Sequence, residues 1–291
     1  MKAFVLVCVC ALSLSRAAQA GQVLTPVASW PFVYTHDGLA VAPNGNLYAI
    51  DSSAGTVEYF TSAGAPLGAW TASSAGGGPQ GLAIDSQGFV YVVYRNAQVE
   101  KFTATGTHVF GFTDTHCSYA SGIAVDLAGN IYVGGYLIIK TVAEFDAAGT
   151  FLREFPSQIV FRLKVDHEGN LYTVGGGVIE KFSPDGTSLA KRSSTVGCSS
   201  LQAEDVALDG QGHVVVANYT GANVLFLSSD LNCLTVFTMD GTFPLPAYLA
   251  YDPSGYLYVA DVMHDRIVKY KYDVSTPAAT ATWGQVKATY R

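Results

Sequence analysis

The chain has 291 residues, 49% hydrophobic and 13% charged, with 16 Lys and Arg against 23 Asp and Glu for a formal charge of −7. It is too apolar for a disordered protein and long enough for one large domain or two small ones, and it lacks the clustered cations that nucleic acid or an anionic membrane attracts. Thirty glycines, 17 tyrosines and 15 phenylalanines favour strands broken by tight turns, and no long stretch shows helical periodicity.

The first twenty residues read as a cleaved export signal. Lys2 supplies the positive end, Ala3 to Leu14 is an apolar run, and Ala18-Gln19-Ala20 is a small-x-small cleavage site. The mature chain then starts at Gly21 and, without Lys2 and Arg16, carries 14 cationic residues against 23 anionic ones, or −9. The apolar run is short for a bilayer, and no later segment offers the roughly 20 consecutive apolar residues of a membrane helix. A secreted or periplasmic product with no membrane insertion is expected. Cys8 and Cys10 leave with the signal. Cys117, Cys198 and Cys233 have no zinc-like spacing, and in an oxidising compartment three cysteines allow at most one internal disulfide, with one thiol left over; spacing does not assign the pair.

From Gly38 onward one pattern recurs: "GLAVAPNGNLYAID" at Gly38, "GLAIDSQGFVYVVY" at Gly81, "GIAVDLAGNIYVGG" at Gly122, "RLKVDHEGNLYTVG" at Arg162, "DVALDGQGHVVVAN" at Asp205 and "YLAYDPSGYLYVAD" at Tyr248. The turn glycines of the six copies, Gly45, Gly88, Gly129, Gly169, Gly212 and Gly255, lie 40 to 43 residues apart, the period of a propeller or solenoid. Second halves align as "VEYFTSAGAPLGAW", "VEKFTATGTHVFGF", "VAEFDAAGTFLREF" and "IEKFSPDGTSLAKR", with a drifted "VLFLSSDLNCLTVF" in the fifth. Each unit, starting near residues 36, 79, 120, 160, 203 and 246, therefore reads as four short antiparallel strands, one blade. Ring closure needs a strand from the other terminus. Val23 to Trp30 resembles "PLGAW" and fits; the tail from Ala279 to Tyr290 is its rival.

His167 and Glu168 stand beside Asp166, residue types that bind metals or move protons. Yet Asp85, Asp126, Asp166, Asp209 and Asp252 all occupy the first position of an Asp-x-x-Gly turn, Ala42 doing so in the first copy, and the two residues between vary freely. Aspartate there accepts backbone hydrogen bonds and glycine closes the turn, so His167 and Glu168 are turn surface.

"GIAVDLAGNIYV" followed by "VAEFDAAGTFLREF", and the "YLYVAD" finish, resemble the NHL repeat over about residues 36 to 272. The resemblance implies an all-β, six-bladed β-propeller of four-stranded antiparallel blades, in agreement with the independent count of six units across residues 21 to 291. A WD-type propeller fits less well, because no Gly-His to Trp-Asp signature is present.

One face of such a ring carries uniformly tight Gly turns, the other loops of changing length, and variable loops on a rigid scaffold are where binding usually sits. On the loop face Gln80, Tyr94, Ser121, Arg162, Asn218 and Tyr248 are the candidate ligand-binding residues, with Tyr119, Tyr136 and Tyr219 as further aromatic contacts. Acidic and imidazole side chains concentrate in blades five, six and one: Glu204, Asp205, Asp261, His264, His36, Asp37 and Asp51. Oxygen ligands in such number could hold Ca2+, and His36 with His264 and a carboxylate could hold Zn2+. Two functions follow. A binding scaffold for a protein, peptide or glycan, expected as a monomer, needs no special residue. The alternative is a metal-dependent lyase or lactone hydrolase with a cation at the mouth of the central channel, as the resemblance implies for enzymes similar to NHL propellers. Asn218-Tyr219-Thr220 is a glycosylation sequon for a eukaryotic host.

Overall fold

The structure, a computed structural model, describes residues 22–32, 36–72, 77–117, 119–136, 140–193, 201–239 and 245–274, with backbone only at residues 22, 23, 36, 37, 273 and 274. The segment expected to be an export signal, the tail from Ala279 to Tyr290 and Cys198 lie outside the described residues.

The described chain is built from strands, 24 in all, in six four-stranded antiparallel sheets. Strand β1 (Gln22–Pro31) precedes the first blade, which comprises β2 (His36–Val41), β3 (Leu47–Asp51), β4 (Thr56–Phe60) and β5 (Pro66–Thr71). The second runs β6 (Pro79–Ile84), β7 (Val90–Tyr94), β8 (Gln98–Phe102), β9 (His108–Thr113), and the third β10 (Ala120–Val125), β11 (Ile131–Gly135), β12 (Thr141–Phe145), β13 (Phe151–Pro156). The fourth is β14 (Arg162–Val165), β15 (Leu171–Gly175), β16 (Val178–Phe182), β17 (Ser188–Ser193); the fifth is β18 (Ala203–Leu208), β19 (Val214–Asn218), β20 (Asn223–Leu227), β21 (Cys233–Thr238). In the sixth, β22 (Pro246–Tyr251), β23 (Tyr256–Asp261) and β24 (Arg266–Val274) are completed by β1, which lies beside β24. The N-terminal strand therefore closes the ring. Leu24–Tyr272 form one compact body; of the second grouping, Met1–Val23 with Asp273–Arg291, only the outer ends of β1 and β24 are described.

Alternating β-branched and aromatic residues put one side of each blade against its neighbour. Tyr172, Val174 and Ile179 of blade four meet Val206, Val214, Val216 and Leu225 of blade five. At the seam, Trp30, Leu39, Leu47 and Phe60 pack with Tyr258, Ala260 and Ile267, so closure is made by the same apolar burial as every other blade contact.

The Asp-x-x-Gly turns behave as their chemistry dictates. Gly88 N donates to Asp85 O at 3.0 Å and takes φ +87°, a conformation glycine alone adopts without cost, while Asp85 Oδ1 accepts from Gln87 N and Phe89 N. In the first copy, where Ala42 replaces aspartate, Asn44 Oδ1 accepts from Asn46 N instead. His167 and Glu168 are exposed on their turn, as the repeat requires.

Candidate functional site

First strands of the blades line the central channel, and most begin with a β-bulge. The register skips Gln80 between Pro79 and Gly81, Ser121 between Ala120 and Gly122, Glu204 between Ala203 and Asp205, and Ala247 between Pro246 and Tyr248. A bulge re-aims the side chains on either side of it. That determines where the expected site residues go.

Three of the expected ligand-face residues are structural. Tyr94 is fully buried and its hydroxyl donates to Glu100 Oε2 at 3.1 Å. Ser121, also buried, donates from Oγ to the carbonyls of Val160 and Phe161 at 3.1 and 3.0 Å, tying blade three to blade four. Asn218 has no exposed surface; its Oδ1 accepts from Gln202 N and its Nδ2 donates to Asn223 Oδ1. A buried and bonded amide is also no acceptor for a glycan in the folded protein. Gln80, Arg162 and Tyr248 are half-buried at the channel end on the loop face, with Gln80 Nε2 donating to Pro79 O at 3.2 Å.

The described aspartates of the acidic set are engaged locally. Asp51 Oδ1 accepts from Ser53 N, Ser53 Oγ and Ala54 N, a local loop clamp. Asp261 is fully buried: Oδ1 accepts from Leu245 N at 3.1 Å, and Oδ2 meets His264 Nδ1 at 2.7 Å and Arg266 Nε at 3.0 Å. Asp205 spends Oδ1 on Val206 N and Oδ2 on Leu249 N. Burial pushes the carboxyl of Glu204 up, opposed by Arg162. The side chains of His36 and Asp37 lie outside the described residues. Among the described residues no three His, Cys, Asp or Glu side chains are placed to hold one metal ion. Asp51, Asp205 and Asp261 are committed to backbone N–H groups and to neighbouring side chains.

What the sequence reading passed over is Lys164. Its position is alanine in the other five units, Ala40, Ala83, Ala124, Ala207 and Ala250, and two residues earlier the Gly of units one to three becomes Arg162, Asp205 and Tyr248. Comparing the copies position by position would have exposed it. The structure brings these departures together inside the ring. Arg162, Lys164 and Asp205 line a narrow cavity of about 10 Å3 with Gly38, Gly81 and Ile123 at the loop-face end. That is room for about one water. Arg162 also donates to Phe161 O at 2.6 Å and lies over the Tyr248 ring at 5.1 Å, crossing from blade four to blade six. Beyond the constriction the channel widens toward the tight-turn face. A cavity of about 220 Å3 there is lined by Lys164 and its alanine counterparts and by the strand-end residues Val41, Ile84, Val125, Val165, Leu208 and Tyr251.

On the loop face itself aromatic rings run in a row. Arg95 lies 6.0 Å over the Tyr119 ring, Tyr119 meets Tyr136 edge-on at 6.0 Å, and Tyr136 meets Phe161 edge-on at 5.8 Å. Tyr119 is 43% exposed.

Comparison with known proteins agrees with this architecture. The β-propeller repeat model SBBP matches residues 110–136. A structure of streptogramin B lyase aligns with a TM-score of 0.64 at 10% identity, covering 87% of this chain and 98% of that one. The WD40 repeats of RRP9 align at 0.63 with 12% identity over 86% and 100% of the two chains. U3-55K aligns at 0.65 with 12% identity over 85% and 100%. At such identities the likeness is one of fold. No curated protein sequence matches the chain.

Proposed function

We infer that this propeller, of NHL type and exported, is a binding scaffold that holds a protein, peptide or glycan on its loop face. The observation that carries the reading is the row of Arg95, Tyr119, Tyr136 and Phe161, amphipathic rings and a guanidinium held in place by mutual contact. Such side chains give large contact area at low entropic cost and dominate binding energies where they occur. The disulfide at Cys233 supports export, since such bonds persist in oxidising compartments.

Peptide display and a glycan array, probed with residues 21–291 and with the double variant Arg95→Ala/Tyr119→Ala, test the reading. Selected ligands should lose about ten-fold or more in affinity on the double variant, the effect of removing one hot-spot contact. Equal binding to both proteins, or no ligand at all, would overturn it. The rival lyase or lactone hydrolase reading predicts stoichiometric metal and a melting temperature that falls on chelation. A metal-free, chelator-indifferent protein ends that alternative.

A further inference from the structure

Why one blade should place an ammonium where five place a methyl group is not explained by the loop face. Lys164 lines both the constriction and the wider cavity, so it forms the floor of the latter. Around it stand Ala40, Ala83, Ala124, Ala207 and Ala250, and above them a ring of six partly exposed residues, Val41, Ile84, Val125, Val165, Leu208 and Tyr251, facing solvent at the turn end. The lining of the chamber is mixed, aliphatic side chains alternating with polar surface, and Lys164 is its one charged residue. Its volume is below the range of drug-sized pockets, which suits a small ligand.

The opposite charge acting on the ammonium from within is that of Asp205, without a direct ion pair between them. Lys164 makes no hydrogen bond or ion pair among the described residues; Asp205 acts on it only at a distance, and both oxygens of Asp205 are already taken by backbone N–H groups. Burial, the largest influence, and the Arg162 charge hold the ammonium below its usual range, with Asp205 opposing. Lys164 is half-buried, and a half-buried cation with no hydrogen-bonded anion gains from one that meets it.

We propose that the turn-face chamber binds a small aliphatic monocarboxylate, its carboxylate on the Lys164 ammonium and its chain against the ring from Val41 to Tyr251. Entry is from the turn face, because the loop-face end admits only about one water. The site lies inside the ring and is independent of the loop-face reading; loss of one leaves the other untouched.

Calorimetric titration of residues 21–291 with hexanoate, hexanol and hexylamine tests it. Hexanoate should bind saturably and about ten-fold or more tighter than hexanol, the worth of one charge-assisted hydrogen bond, and hexylamine should not bind. Lys164→Ala, which installs the residue of the other five blades, should abolish the preference for hexanoate while the protein stays folded; Lys164→Met, which keeps the bulk, should do the same. Arg95→Ala/Tyr119→Ala should leave hexanoate binding unchanged. Hexanoate binding no better than hexanol, or retained in both Lys164 variants, would overturn the assignment.

Discussion

Aspartate does different work in the turns and at the strand ends. In the turns it is a backbone clamp: besides its two amides, Asp85 accepts from the Tyr91 hydroxyl at 3.1 Å and faces Lys101 at 3.4 Å. Replacing it with alanine strands these donors, so Asp85→Ala should cost about 1–3 kcal/mol in urea unfolding, or more if Lys101 finds no other partner. His167→Ala, on an exposed turn of the same kind, should stay within about 0.5 kcal/mol. Asp261→Ala should cost about 3–5 kcal/mol, because it leaves Arg266 without its buried carboxylate. Metal content should be unmoved by that change, and elemental analysis of the purified variant checks it. The turn aspartates were legible from their recurrence. The inward commitment of Asn218 and Tyr94 was not, since a strand end looks the same in sequence whether its last side chain turns to solvent or to the neighbouring blade.

Among the elements, β1 shows how the ring locks. The third-to-fourth turn of each of blades one to four lies under an aromatic ring from the outer strand of the preceding blade. A Cβ on Gly106 would meet Trp70 at 2.3 Å, one on Gly149 would meet Phe112 at 2.5 Å, and one on Gly186 would meet Phe155 at 2.9 Å. Trp30 of β1 does this to Gly64 at 2.3 Å and meets Tyr258 edge-on at 6.2 Å, so the N-terminal strand acts as a true fourth strand. The drifted fifth unit solves the same problem differently: Leu231 takes the glycine's place at φ +61°, and Arg192 of β17 reaches Asp230 O and Asn232 Oδ1. Trp30→Ala should lose about 3–5 kcal/mol. Gly45→Ala, with open space around it, should cost only the left-handed penalty of about 1–2 kcal/mol. Gly64→Ala adds a collision to that penalty and should cost clearly more; chemical denaturation of the pair reads the difference. The likeness of Val23–Trp30 to "PLGAW" carried this strand in the sequence, while the rival tail had no such aromatic match.

At the scale of the whole molecule, eight tyrosines, Tyr48, Tyr91, Tyr94, Tyr132, Tyr172, Tyr251, Tyr258 and Tyr272, are raised above the ordinary phenol range, chiefly by burial, Tyr272 to about 12. A raised folded-state value means that the unfolded chain ionises first. Their contribution is complete below pH 10 and is lost as pH rises through the folded values. Lys164, lowered, has the opposite sign and is outnumbered. Melting temperature followed from pH 8 to 12 should therefore fall steeply once pH exceeds about 10, the unperturbed tyrosine value. Cysteine chemistry is also settled at this scale. Cys117 is free and buried, its thiol pushed well up by desolvation and Asp114, hence unreactive, while Cys233 is disulfide-bonded to a partner outside the described residues. If Cys8 and Cys10 leave with the export signal proposed for residues 1–20, only Cys198 remains, so non-reducing peptide mapping of the mature protein should recover Cys198 joined to Cys233.

The sequence alone determined the blade count, the strand order within a blade and the turn chemistry. Each is set by local backbone geometry repeated six times, and repetition makes a local rule visible. Only the tertiary structure decided which side chains reach the channel, because bulges at Gln80, Ser121, Glu204 and Ala247 break the alternation from which facing is read. It likewise decided that the channel narrows at the loop face and opens at the turn face around Lys164, since a cavity on the ring axis belongs to six converging strands and to none of them singly.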